Sequence, residues 1–399
     1  MKKKIFYDMI LNLISSCLSI FMLQYIFMPI VSRKIGPIDY GQILTVIGII
    51  NILVGAIGGM LNNVRLLQDY KYREKMYIGD FNRLIINWSV LGIAIIVVIR
   101  TLNLWGFDYV HLVFLVCMFV IGVLRTYLIV SFRLTLQYYK VLIYNVILAI
   151  GYAIGIGVFY VTESFFISII FAELVALIYV VSQTKLLKES FKKTPLYTET
   201  RNIYIQYSFS NILQNSVVYM DRMLIFPMLG SEYVSVYYAA ALFGKFISMG
   251  IEPINGVVLS YLTQNKSDFI RKKIGMIISS TIVITILTYI ISAYISPIFI
   301  KILYPNVYDE ALKILSIVNF SSILYATSAI LRPLIMKWCE SKWQIIINGT
   351  HITVYLICAI VFTYLWGGIG FGLGVTIAHL YKFVLYIILC IKYVGKKEL

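Results

Sequence analysis

The sequence predicts an all-α, polytopic membrane protein of about twelve transmembrane helices in two six-helix bundles. Three observations carry that expectation. Of its 399 residues, 60% are hydrophobic and only 13% charged, with a mean hydropathy of +0.88, whereas a soluble domain keeps about a quarter of its residues charged. Twelve apolar runs, each near the 20 or so residues a span needs, fall at roughly 9–31, 41–63, 84–104, 109–131, 141–162, 165–184, 204–226, 233–260, 275–296, 312–333, 344–365 and 370–391. Lys and Arg alternate in register with those runs: one set of connections holds 24 of the 34, the alternate set five, and five lie inside runs.

The opening "MKKKIF" resembles a signal-peptide n-region, but its apolar run is too long for an h-region and no small-x-small site follows. It reads as a first transmembrane helix. The basic set begins at Lys2, Lys3 and Lys4 and ends at Lys392, Lys396 and Lys397, against Arg33, Lys34, Arg100, Lys301 and Lys313 on the other side. Positive charge favours the cytoplasmic face, so both termini are expected there. The long eighth run has a candidate kink at Pro253. The net charge of +16 lies in short loops, which argues against nucleic acid and for the anionic inner leaflet as electrostatic partner. Four of the five Cys lie in apolar runs, Cys339 lies in a short basic loop, and no C-x-x-C occurs. Neither a disulfide framework nor a metal site is expected. No Walker loop is present, so ATP is not the direct energy source, and no cofactor is expected.

The most hydrophilic connection, near the midpoint, divides the chain into an N-terminal six-helix bundle (1–184), a cytoplasmic linker (185–202) and a C-terminal six-helix bundle (203–399). "IGPIDYGQIL" follows the first run and "LGSEYVSVYY" the seventh; laid together, Gly36 meets Gly230 and Gly41 meets Ser235, an offset of 194 residues. That suggests parallel halves related by an axis along the membrane normal, a design that places substrate between the halves near the midplane. Gly55-x-x-x-Gly59, Gly151-x-x-x-Gly155, Gly368-x-x-x-Gly372 and Gly370-x-x-x-Gly374 predict close helix packing. "GGIGFGLG" opens a membrane helix with no strand before it, so it reads as packing and not as a dinucleotide fingerprint.

Polar groups inside the runs are the candidate site, since a charge at a helix centre costs about 2.5–3.5 kcal/mol on insertion scales. In the seventh run Asn211, Gln214 or Asn215, Asp221 and Arg222 follow one helical face. The first run has a related stripe of Asp8, Asn12 and Ser19. Lys245 and Glu252 are seven residues apart, about 10 Å along one face. Arg125, Glu173 and Lys382 complete the set, while Arg332 near a run's end can snorkel. Arg125, Lys245 and Lys382 either line a pathway or pair structurally. His379 reads as a satisfied core residue, and His111 and His351 lack ligand spacing. Five intramembrane cations against three anions favour an anionic solute such as a pyrophosphate or uronic acid. Asp221, Glu252 and Glu173 are the candidates for taking up a proton or Na⁺.

"DRMLIFPMLGSEYVSVYYAA" (221–240), "SRKIGPIDYGQI" (32–43), "FIKILYPNVYDEALKIL" (299–315) and "GGIGFGLG" together span the chain in order. They resemble the motifs of polysaccharide-transport proteins in the multidrug/oligosaccharidyl-lipid/polysaccharide exporter superfamily, and above all those of Wzx-type flippases. The resemblance implies twelve helices in two bundles forming a V, alternating access and a cationic lumen in a bacterial cytoplasmic membrane. It implies undecaprenyl-diphosphate-linked oligosaccharide, a precursor of O-antigen, capsule or other surface polysaccharide, as cargo. Arg33, Gly36, Tyr40, Gly41, Asp221, Arg222, Gly230 and Tyr237 match its motifs; Arg125, Lys245 and Lys382 match none. Arg222, Arg125, Lys245 and Lys382 are expected to hold phosphate or acidic sugar, and Asn211, Gln214 and Asn215 to contact hydroxyls. An ion-coupled small-solute or drug antiporter of the same fold is the alternative. A polysaccharide polymerase or ligase fits less well, because the external connections are short and nearly without acid clusters.

Overall fold

The computed structural model describes residues 14–101 except 16, 109–263, 274–339 and 341–394. Among the described residues every element is helical. In chain order these are α1 (Cys17–Ile35), α2 (Pro37–Glu74), α3 (Phe81–Thr101), α4 (His111–Leu134), α5 (Tyr138–Thr162) and α6 (Phe165–Gln183). Then come α7 (Tyr197–Leu229), α8 (Ser231–Ala240 and Leu242–Thr263), α9 (Ile274–Leu303) and α10 (Pro305–Trp338). The final continuous run Ser341–Leu389 breaks at Trp366 and Gly367, giving α11 (341–365) and α12 (368–394). Nine of the described helices are long and apolar enough to cross a membrane, and ten if the α8 pair, bent by 53°, counts as one. The polar residues of α7 keep it out of that number although it has 33 residues. With α7 included and the final run divided, each of the twelve sequence-predicted spans falls on a helix. The α8 pair bends at Ala241, while the candidate kink at Pro253 falls on a residue whose side chain lies outside the described residues.

The breaks have local causes. Gly36 (φ +84°) and Gly230 (φ +89°) occupy the left-handed region that side chains disfavour. They are the two positions that the 194-residue offset aligns. Pro37 then opens α2 with the fixed φ suited to a first turn. Ser164 caps α6 by accepting from Ile167 N at 3.4 Å, after Glu163 ends α5 in the left-handed region.

The chain folds as two compact units, Met1–Lys34 with Thr45–Met220, and Ile35–Leu44 with Asp221–Leu399. One division falls at the last residue of α1 and the other two inside α2 and α7, so α2 and α7 contribute to both units.

In the first unit the stretch between α6 and α7 is fastened to the bundle. Arg65 donates two parallel bonds of 2.6 Å to the Glu189 carboxylate, and Asn82 donates to the carbonyls of Leu186 and Glu189 at 3.0 Å. Fully buried Asp80 accepts from Tyr72 Oη at 2.7 Å, Thr194 N at 2.8 Å and Thr194 Oγ1 at 2.5 Å. Asp80→Ala removes all three acceptor contacts. It should cost about 3 kcal/mol, the scale of charge-assisted bonds lost from a buried site. Limited trypsin digestion should then cut at Lys185, Lys188, Lys192 or Lys193 markedly faster than in the wild type.

In the second unit the two aligned segments meet each other. A side chain at Gly41 would run into the Ser231 carbonyl, and Ser235 Oγ donates to the Pro37 carbonyl at 2.6 Å. The glycines of "GGIGFGLG" pack as expected: side chains at Gly370 and Gly374 would collide with the carbonyls of Phe362 and Cys358 on α11.

Candidate functional site

The stripe on α7 is shared between the units. Toward its start, Asn215 Nδ2 donates to Asn211 Oδ1 at 2.9 Å, and the pair lies against Gly55. Gly55–Gly59 is a π-turn in which Met60 N–H bonds to the carbonyl five residues back, at Gly55. The neighbouring Ala56 carbonyl accepts from Ser208 Oγ at 2.8 Å and Tyr204 Oη at 3.3 Å. Such turns recur at functional sites because they turn backbone acceptors outward. Gly55 therefore serves this turn and its asparagine neighbours; its Gly55-x-x-x-Gly59 spacing does not mark a simple helix seam. The side chain of Gln214 lies outside the described residues, as does that of Glu252.

Past the division, Asp221 and Arg222 are both buried within the second unit. Asp221 Oδ1 accepts from Arg222 N at 2.8 Å, and Oδ2 lies 3.9 Å from Lys245 Nζ. The Arg222 guanidinium donates to the Leu44 carbonyl at 3.2 Å and stands 4.9 Å from the ring centre of Tyr238. Lys245 Nζ is 4.0 Å from the same ring. Two cations thus approach one aromatic ring, with the Asp221 carboxylate beside Lys245. Tyr238 in turn packs on Tyr40 and Tyr304, whose hydroxyls lie 3.0 Å apart.

Arg125 and Glu173 form a cluster in the first unit. The guanidinium donates to Glu173 at 3.2 Å and to the Tyr144 hydroxyl, and Tyr152 Oη reaches Glu173 at 3.4 Å. Here the pairing reading of Arg125 has a specific partner, as it has for Lys245. Lys382 lies elsewhere in the second unit, buried, 5.0 Å from the ring centre of Tyr325 and 5.7 Å from that of Tyr386.

Within the second unit Asp221, Arg222 and Lys245 come together; within the first, Arg125 joins Glu173 and Asn211 joins Asn215. Sequence reasoning missed the tyrosines that hold these charges: Tyr238, Tyr144, Tyr152 and Tyr325. A signal was present, since Tyr outnumbers Phe by 32 to 23, and a buried phenol needs a polar partner where Phe does not. Among the described residues no group of three or more His, Cys, Asp or Glu is placed to hold a metal ion.

No protein-family model matches the sequence, and no curated protein matches it. Solved structures do. A mutant of the Vibrio cholerae MATE transporter VcmN aligns with a TM-score of 0.62 at 14% identity, over 98% of this chain and 97% of that one. The lipid II flippase MurJ, in an inward closed conformation, aligns with a TM-score of 0.63 at 14% identity, over 98% and 87%. The eukaryotic MATE transporter AtDTX14 gives 0.60 at 15% identity, over 98% and 95%. At these identities the shared property is the fold: this is an all-α, multi-pass membrane protein with the fold seen in MATE transporters and MurJ.

Proposed function

We propose that the chain is a flippase for polyprenyl-diphosphate-linked oligosaccharide, working by alternating access in a bacterial cytoplasmic membrane with both termini inside. The supporting observation is that the Arg222 and Lys245 cations both stand at the Tyr238 ring, with Asp221 beside Lys245. A diphosphate is a strong, multidentate acceptor for such a pair. In this reading Arg222 and Lys245 hold the diphosphate or an acidic sugar, with Arg125 and Lys382 as further cationic contacts. Asn211, Gln214 and Asn215 meet sugar hydroxyls, while the prenyl chain stays in lipid. Six-helix halves joined by the 185–202 linker exchange two states that bind cargo differently. H⁺ or Na⁺ coupling through Asp221, Glu252 or Glu173 belongs to the same proposal.

An ion-coupled antiporter for small solutes is the second reading. It is favoured by the acid–base pairs Arg125–Glu173 and Lys245–Asp221, which offset part of the cationic surplus. One experiment separates the two. In cells carrying Arg222→Ala with Lys245→Ala, lipid-linked oligosaccharide should accumulate on the cytoplasmic leaflet and surface glycan should fall by an order of magnitude or more, the scale of a lost charged anchor of about 2 kcal/mol. Undiminished surface glycan in that strain overturns the flippase assignment.

A further inference from the structure

A second polar cluster lies where α10, α11 and α12 meet, and the transport proposal uses only its lysine. His351 on α11 is fully buried and His379 on α12 nearly so. Their ring centres are 5.5 Å apart, and both pack on Tyr325 of α10, at 6.4 and 4.9 Å. His379 Nδ1 lies 3.1 Å from the Ser321 carbonyl and 3.0 Å from Ser321 Oγ. In the tautomer that donates to this carbonyl, Nδ1 carries the hydrogen and Nε2 keeps its lone pair. At His351 neither ring nitrogen has a hydrogen-bond partner among the described residues. A residue kept there for packing alone needs no nitrogens, and Phe would fill the space without leaving polar atoms unmet.

Lys382 follows His379 by three residues on α12, so the two side chains are helical neighbours. Its ammonium lies over the Tyr325 ring that His379 also touches. A proton on His379 would add a second positive charge beside Lys382 at low dielectric. An anion drawn to Lys382 offsets that repulsion. The other titratable or charged neighbours are Tyr325 on α10, Tyr355 on α11 and Tyr386 on α12. Tyr355 packs on His379, Tyr386 lies near Lys382, and Asp221 on α7 acts electrostatically on Tyr355. Asp221 and Glu173 are already engaged by Lys245 and Arg125.

We propose that His379, with His351 beside it, is a proton-binding site whose occupancy is coupled to an anion at Lys382. The anion's identity as cargo rests on the flippase reading above. When a diphosphate or carboxylate reaches Lys382, one solvated proton from the bulk solution adds to His379 Nε2, and anion and proton are both released in the other state. Linkage makes the effect reciprocal, so protonation also tightens anion binding.

The chain contains three histidines, His111, His351 and His379, so ¹⁵N-histidine NMR of the full-length protein in lipid nanodiscs resolves the site directly, with His379→Gln providing the assignment. In the wild type without ligand at about pH 6, near the ordinary histidine midpoint, His379 should be neutral with hydrogen on Nδ1. Lys382→Met should raise its imidazolium-to-imidazole ratio about ten-fold, whereas Lys382→Arg should leave it unchanged. Adding farnesyl diphosphate to the wild type should produce the same rise, and His379→Gln should bind that probe without proton uptake. A His379 signal indifferent to Lys382→Met, or hydrogen on Nε2 in the wild type, overturns the proton site. If Lys382→Met does not fold, farnesyl diphosphate binding to the wild type without a change at His379 overturns it equally. If farnesyl diphosphate fails to bind while Lys382→Met still raises the ratio, the cargo reading fails and the proton site stands.

Discussion

Asp221→Ala should lower the stability of the second unit by about 3–5 kcal/mol, the cost of removing one partner from a buried ion pair. The carboxylate lies 3.9 Å from Lys245 Nζ and accepts from Arg222 N, and the Asp221 and Lys245 side chains are only 11% and 23% exposed. Without it, Lys245 loses its carboxylate partner and faces the Arg222 guanidinium across the same ring. Asp221→Asn keeps an acceptor for the backbone N–H and should fall between. Adding Lys245→Met to Asp221→Ala should recover part of the loss, because it removes the charge left behind. Thermal inactivation of the detergent-purified protein, followed by the fraction remaining monodisperse, measures the series. A loss below about 1 kcal/mol for Asp221→Ala, the range of exposed pairs, would show that solvent already screens this cluster.

Glu173→Ala should be comparably costly in the first unit, about 3–5 kcal/mol by the same reasoning. It strips Arg125 of its 3.2 Å partner and Tyr152 of its acceptor, and the Arg125 and Glu173 side chains are 17% and 16% exposed. Replacing the pair together, Arg125→Met with Glu173→Leu, should restore near-wild-type stability, since apolar substitutes for buried pairs are often neutral or better. Transport by that double variant decides between the two roles the sequence leaves open for Arg125. Lost transport in a stable protein makes the pair part of the pathway, whereas full transport makes it an internal brace.

Much of the fold was legible because a bilayer span is a one-dimensional property. Length, apolar content and the alternation of Lys and Arg need no partner to be recognised, and each of the twelve predicted runs falls on a helix. The pairing of Gly36 with Gly230 was legible too, and both adopt the left-handed conformation that ends a helix. Harder to read was the way helices are shared. Nothing in local composition indicates that Ile35–Leu44 packs with the later half, or that residues 197–220 of α7 pack with the earlier one. That depends on side chains such as Ser235 and Tyr204 finding acceptors nearly 200 or about 150 residues away in the chain.

For the candidate site the division is similar. The residue types and their depth were set by sequence: Arg125, Glu173, Asp221, Arg222, Lys245 and Lys382 interrupt apolar runs, where charge is costly enough to demand a partner. Which partner each one found was decided by tertiary structure. Helical periodicity puts Asn211, Asp221 and Arg222 on one stripe but does not place the division between Met220 and Asp221, nor bring Tyr238 between Arg222 and Lys245. The two buried histidines show it most plainly. In sequence they are isolated polar residues 28 positions apart; only the packing of α10, α11 and α12 brings their rings together beside Lys382, because side-chain environment is a property of neighbouring helices and not of the helix that carries the residue.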